Sequence, residues 1–410
     1  MDSITATLQD ARQKVDEAIA ALQAPQVAAV LDNALHNPEQ LPDPALMQLS
    51  GDVVDRLEQL QMLLIPSVSL LADGFFGYLL TKALWTAIDA RVADHLQQGP
   101  MTAAALGEKC GVQPVRLAQV LDTLVNFGIF SFEAATGVYA NNRASALVTH
   151  DHWTQWHRWS DLYGTDIFDV SRAMPAAVRA GETRSAVQIA YNTDLSMFEY
   201  LAAQGRIAKF HATLGAGAVA QAPGLAVDYP WAEVAHTTVV DIGAGSGEFL
   251  AGLMRAQPAM RGVYFDLPHA VEMVQPHFFG EGAKFADLAG RMDGVVAGSF
   301  LDSVPASSVY TMKWCLHDWL DDEVVRILQT VRASIVVAPG SRLVVLEGVK
   351  KPGRSARIPN YGDLVMMITA NGKERSEQDW AALAGRAGWT LHRIHPIRRA
   401  WLCAIDLRPA

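Results

Sequence analysis

The sequence predicts an α/β domain built on a doubly wound, mostly parallel sheet, preceded by a mostly helical region that ends in a winged-helix pattern. Strands and helices alternate through the second half of the chain, which is the signature of such a sheet. Half of the 410 residues are hydrophobic and 19% are charged, so a large core can form. Between Leu79 and Val148, three helical stretches lead into two short β-like pieces.

The opening segment, MDSITATLQDARQKVDEA, is polar and charged, unlike a secretory or transit peptide. Three cysteines (Cys110, Cys315, Cys403) lie far apart with no CxxC pair, so a reducing, cytoplasmic setting is expected. Leu8, Ala11, Val15, Ala18 and Leu22 recur at helical spacing, and Val53, Leu57, Leu60 and Leu64 repeat the pattern after a Pro- and Asn-rich loop. These faces pack either against a partner subunit or onto the chain's own body. Leu60 to Ile88 is the most apolar stretch, but Pro66, Asp73, Gly74, Gly77 and Lys82 interrupt it short of the ~20 residues a membrane span needs. It reads as two buried helices, and no membrane association is expected.

A helix over Leu80–Gln97 leads to Thr102, placed to cap the helix AAALGEKC; Gly111 turns the chain, and Pro114 opens a third helix through Phe127. Ile129–Glu133 and Gly137–Ala140 form the wing. A DNA-binding regulator is the competing reading of this pattern. The candidate recognition helix, VRLAQVLDTLVNFG, carries one Arg and no Lys, and the net charge is -10, so a packing module is favoured and no nucleic-acid partner is expected. His152 to Leu201 is helical and rich in aromatics, including Trp153, Trp156, Trp159 and Tyr163, which serve as core or line a pocket for a flat substrate.

In the second half, TTVVDIG, RGVYFDL, MDGVVAGS, SVYTMKWCL and SRLVVLEGV read as strands, and WTLHRIHP with AWLCAIDL as a closing antiparallel pair. The first strand ends in Asp241 and runs into Gly243-Ala244-Gly245-Ser246-Gly247, where the backbone must turn tightly and approach a ligand without Cβ atoms in the way. The GxGxG spacing favours a nucleoside-methionine ligand over a dinucleotide. Asp266, at the end of the next strand, is placed to accept ribose hydroxyls; the alternative is a helix N-cap.

These motifs, with the winged helix before them, resemble the plant caffeic-acid and acetylserotonin type of O-methyltransferase, including fungal secondary-metabolite members. The resemblance covers roughly Leu79 to Leu407. It implies a Rossmann-like methyltransferase domain, a winged-helix dimerisation domain, a homodimer, and S-adenosylmethionine bound by Asp241, Gly243, Gly245 and Asp266. The family's adenine-side acid and following apolar residue fall on Ser299 and Phe300, so this chain departs from the pattern by carrying a serine there. The family's cofactor lysine matches Lys313. The second strong match is Lys313-Trp314-Cys315-Leu316-His317-Asp318-Trp319, which implies His317 as general base. The acids that orient that histidine match Glu347 and Glu374. Asp318 either touches substrate or caps the helix beginning near Leu320, the cap being preferred. Phe210 and Leu214, with Met366 on a later helix, are candidate walls of the acceptor pocket or ordinary core. No metal is expected, since a sulfonium is already activated.

The organisation expected is a helical extension over 1–68, a winged-helix dimerisation domain with linking helices over 69–180, and the methyltransferase domain over 181–410. The acceptor expected is a small aromatic or polyketide-like hydroxyl compound. One rival on the same scaffold keeps S-adenosylmethionine as a fixed charge for pericyclic or dehydration chemistry; the intact His317, Glu347 and Glu374 weigh against it.

Overall fold

A computed structural model describes residues 2–410, which divide into one unit up to Leu60 and a second from Gln61 to Ala410. In the first, the periodic apolar faces do form helices, Asp2–Gln23 and the start of Pro44–Leu64, but no residue of either helix is buried.

In the second unit, a long helix runs from Ser67 to Asp89, well before the expected start at Leu80, and breaks at Arg91 (φ 54°) into a short helix, Val92–Leu96. Contrary to the expectation from its composition, Leu60–Ile88 does not form two buried helices. Leu63, Val68 and Phe75 are exposed, and burial starts only near Leu80, because the fold provides packing partners for the last turns alone. Thr102 accepts from the Ala105 amide at 3.3 Å and so caps the next helix, Ala103–Cys110, which Gly111 ends at φ 67°. The third helix, Pro114–Asn126, buries Leu117, Leu121 and Leu124, and the wing strands Ser131–Glu133 and Val138–Ala140 follow. Short helices, then Ile207–Val227, form a layer that carries Trp156, Trp159, Tyr163, Phe198 and Phe210.

The α/β part contains a sheet of seven strands: β1 (Thr238–Ile242), β2 (Arg261–Asp266), β3 (Met292–Ala297), β4 (Val309–Lys313), β5 (Arg342–Glu347), β6 (Trp389–Pro396) and β7 (Cys403–Pro409). Their order is β3-β2-β1-β4-β5-β7-β6, parallel except that β7 runs antiparallel to both neighbours. The chain order reverses between β1 and β4, and a doubly wound sheet opens a crevice at the carboxyl ends of strands at such a point. Apolar residues of β1, β4 and β5 are buried on both faces, as expected for central parallel strands. The expected strand SVYTMKWCL stops at Lys313. Trp314 adopts φ 54°, and Leu316–Asp318 form a short 3-10 turn. No single helix among the described residues is long and apolar enough to cross a membrane.

Candidate active site

Two turns meet at the carboxyl ends of β1 and β4. The first is glycine-built: Gly243, Gly245 and Gly247 take φ of 69°, 56° and 74°, a region L side chains rarely occupy. A Cβ on Gly243 would lie 2.6 Å from the Cys315 Sγ, so the glycine also permits the two turns to touch. Asp266, at the end of β2, accepts from the Gly245 amide through Oδ2 and from the Leu267 amide through Oδ1, both at 2.7 Å. The helix that follows it, Pro268–Phe279, is entered through Leu267 without a side-chain cap, so Asp266 is tied to the glycine turn and not to a helix end. A carboxylate offers about four acceptor sites, so two stay available for a ligand. Tyr264 supports the turn from below, donating to the Gly245 carbonyl at 2.7 Å.

Asp241 is buried and accepts from the Thr311 hydroxyl at 2.7 Å. Burial pushes its carboxyl up to about 7, against the Thr311 bond and the charge of Lys313. Lys313 lies with its ammonium 4.0 Å from the Trp314 ring centroid, and desolvation by the surrounding protein lowers its pKa. Ser299 turns inward on its own loop, accepting from the Leu301 amide at 3.2 Å, and Phe300 meets Trp319 edge-on at 6.1 Å between centroids.

The second turn is built by side chains from distant segments. Glu347, the last residue of β5, accepts from the Cys315 and Leu316 amides through Oε1, both at 2.9 Å. Its other oxygen lies 3.1 Å from His317 Nδ1. Glu374 Oε1 makes a 2.9 Å hydrogen bond to the same nitrogen. Both carboxylates therefore face Nδ1, which fixes a proton there and leaves Nε2, with Asp318 Oδ1 at 3.8 Å, as the nitrogen that gains or loses the second proton. Burial lowers the His317 pKa, but the Glu347 charge, the Glu374 bond and the Asp318 charge outweigh it and carry the imidazole up to about 10. Burial likewise raises Glu347, to about 7, against the pull of the imidazolium. The three ligand atoms of His317, Glu347 and Glu374 lie within 4.8 Å of one another, a set a divalent cation also uses.

The preferred reading of Asp318 as a helix cap is overturned. The helix Asp321–Ser334 is entered through Leu320 with no side-chain cap, and the Asp318 carboxylate faces the imidazole instead. Residues that the sequence did not single out complete the turn. Arg375 is fully buried and donates to the Leu316 carbonyl at 3.2 Å, the Trp319 carbonyl at 2.7 Å and Asp321 at 3.0 Å, strapping the chain on both sides of His317. Gly372 packs so closely on the His317 carbonyl that any Cβ there would collide with it. Adjacency of Arg375 to Glu374 was the one available signal.

Phe210 meets Phe198 edge-on at 5.5 Å and joins an apolar cluster with Val365, Met367 and Ile368 of helix Ile358–Ala370, the helix that carries Met366. Leu214 stands one turn beyond Phe210, and all three candidate wall residues are half-buried. The same aromatic layer reaches the second turn: Trp159 meets Trp314 edge-on at 6.0 Å and stacks on Tyr163 at 5.7 Å. Burial and then the Glu374 charge push the Tyr163 phenol up to about 12.

Fold and site together define a class I methyltransferase. Residues 228–390 match the O-methyltransferase domain family and residues 72–151 the O-methyltransferase dimerisation domain. The chain is 55% identical to the O-methyltransferase gliM of Aspergillus fumigatus over 408 residues, covering 99% of this chain and 95% of that protein. Among solved structures, the calicheamicin-biosynthesis methyltransferase CalO1, in an S-adenosylhomocysteine-bound form, is similar with a TM-score of 0.73 and 26% identity, over 84% of this chain and 98% of that one. The neocarzinostatin-biosynthesis O-methyltransferase NcsB1, crystallised with S-adenosylhomocysteine and 1,4-dihydroxy-2-naphthoic acid, matches at a TM-score of 0.62 and 28% identity, over 81% and 96%. The chain belongs to the plant-type and fungal secondary-metabolite family of O-methyltransferases, and it is an S-adenosylmethionine-dependent enzyme of that kind.

Proposed function

We propose that this enzyme methylates a hydroxyl of a small aromatic or polyketide-like metabolite, with His317 Nε2 accepting the hydroxyl proton. The observation that carries the reading is the placement of both carboxylates on Nδ1, which leaves one ring nitrogen open and strongly basic. A phenol has a pKa of about 10, close to the value reached by His317, so passing the proton between them costs little free energy. Glu347 and Glu374 are positioning residues that hold the ring, fix its tautomer and stabilise the imidazolium once it forms. S-adenosylmethionine supplies an electrophilic methyl on a positively charged sulfur.

The residues of the first turn fit such a ligand. The glycine turn offers backbone without side chains, Asp266 has acceptor capacity for ribose hydroxyls, and Phe300 with Ser299 borders the adenine side. Asp241, Gly243, Gly245 and Lys313 line the methionine side. A bound ammonium beside Asp241 would act as Lys313 does, favouring the carboxylate against the burial that raises its pKa. Asp318 faces the acceptor oxygen beside Nε2, while Phe210, Leu214 and Met366 wall the acceptor. NcsB1 binds a dihydroxynaphthoic acid, and the aromatic layer around Trp159 and Tyr163 suits a flat ligand of that kind. The enzyme works as a homodimer through residues 69–180, with 1–68 as an extension of that part and 181–410 as the methyltransferase domain. Its unpaired cysteines suit the cytosol.

The test is product analysis with methyl-labelled donor and a set of phenolic polyketides. Label in an aryl methyl ether, with one S-adenosylhomocysteine per product, is expected. Turnover of an acceptor with no donor consumed would refute methyl transfer and support rearrangement.

A further inference from the structure

Tyr163 stands where three parts of the site come together. The helix Trp156–Gly164 sets it four residues after Trp159, on the same face. The two rings stack at 5.7 Å, and Trp159 in turn meets Trp314 of the second turn. Tyr163 also packs against the apolar cluster that holds Phe210 with Val365 and Met367 of helix Ile358–Ala370. Its phenol feels the charge of Glu374, the carboxylate bonded to His317 Nδ1. The residue therefore joins the candidate acceptor wall to the carboxylates of the base.

Phenylalanine would keep every apolar contact made there, so the hydroxyl is the feature to explain. It bonds to no described residue, although a tyrosine held in an apolar layer normally finds a partner for its O–H. Glu374 Oε2 is unpartnered and enclosed, whereas the Tyr163 oxygen is unpartnered and still accessible, on a half-buried ring. Burial and then the Glu374 charge hold its pKa up to about 12, so it keeps its proton and stays a donor at neutral pH. We infer that the Tyr163 hydroxyl donates a hydrogen bond to a second oxygen of the acceptor, beside the hydroxyl that His317 deprotonates. The acceptor class narrows to planar aromatics with two neighbouring oxygens, either paired hydroxyls or a hydroxyl next to a carbonyl. A site that offers a donor to such an oxygen discriminates against an analogue that lacks it. The inference rests on the acceptor site proposed above and adds what the acceptor must carry.

Calorimetry with S-adenosylhomocysteine bound, so that no methyl moves, tests it by comparing 2,3-dihydroxynaphthalene with 2-naphthol, which lacks the second oxygen. The wild type should bind the diol about fivefold or more tightly, the worth of one net hydrogen bond. Tyr163→Phe should bind the two within about twofold of each other, because the ring stays and only the donor is lost. Equal binding of the two by the wild type, or binding of neither, overturns the inference. A preference that survives in Tyr163→Phe overturns it as well. The labelled-donor assay separates this result from the proposed reaction. Aryl methyl ether formed without the diol preference removes the role of Tyr163 and leaves methyl transfer standing. A preference that depends on Tyr163, with no label transferred, sustains the contact and removes methyl transfer.

Discussion

The two turns that meet at β1 and β4 do similar work by different means. The turn Gly243–Gly247 gets its shape mainly from its own residues: three left-handed glycines make it, with Asp266, Tyr264, the Phe265 carbonyl and the Cys315 thiol reaching in from outside. The turn Trp314–Trp319 is held almost entirely from elsewhere, by Glu347 from β5 and by Gly372, Glu374 and Arg375 from one later loop. A ligand cradle needs backbone access, which a local sequence can encode. A base needs a tuned pKa, which requires charges brought from distant segments. Damage to the first turn should therefore appear in cofactor affinity, and damage to the second in turnover.

The largest effect is expected at the imidazole. His317→Ala should lower kcat by about 10³-fold, within the range general-base catalysis supplies, while calorimetry finds S-adenosylmethionine affinity unchanged. Gly372→Ala sharpens the contrast, because the added methyl strikes the His317 carbonyl without touching a titrating group. Displacing that loop should cost about 1–3 kcal/mol of stability and reduce kcat, with cofactor affinity again spared; a normal kcat there would mean the loop does not hold the histidine. In the first turn, Asp266→Ala should instead weaken cofactor binding about tenfold or more, the worth of charged hydrogen bonds, with kcat at saturation little changed. Ser299→Asp is the smallest change, expected to alter cofactor affinity by only a few-fold as a half-buried carboxylate replaces the hydroxyl. A loss beyond that would show that Ser299 suits this enzyme's own adenine pocket.

The same contrast explains how far the sequence could be read. The glycine turn, the strands around it and the Thr102 cap were legible because each depends on residues a few positions apart. His317, Glu347 and Glu374 were legible only through a resemblance, since 57 residues separate the histidine from its hydrogen-bonded carboxylate. That both acids face Nδ1 was beyond reach, as was the strap formed by Arg375, because side-chain direction depends on how the loop 371–375 docks. Asp318 was misread for a local reason. An acid just before a helix has the sequence look of a cap, but here the turn aims it at the imidazole. The stretch Leu60–Leu79 was misread because apolar composition predicts burial without saying against what.

The central claim is that a histidine made strongly basic by two carboxylates takes the acceptor's proton. The most direct measurement is the pH dependence of single-turnover methyl transfer to one phenolic acceptor, in the wild type and in Glu374→Gln. Below the His317 pKa the ring is largely protonated, so the wild-type rate should climb with pH, by up to about tenfold per unit, toward an inflection approaching the value of about 10 set by its carboxylates. Removing the Glu374 charge takes away a cause of the raised pKa, so the variant's inflection should move to lower pH. Identical profiles in the two proteins, or a profile that His317→Ala leaves intact, would contradict the account.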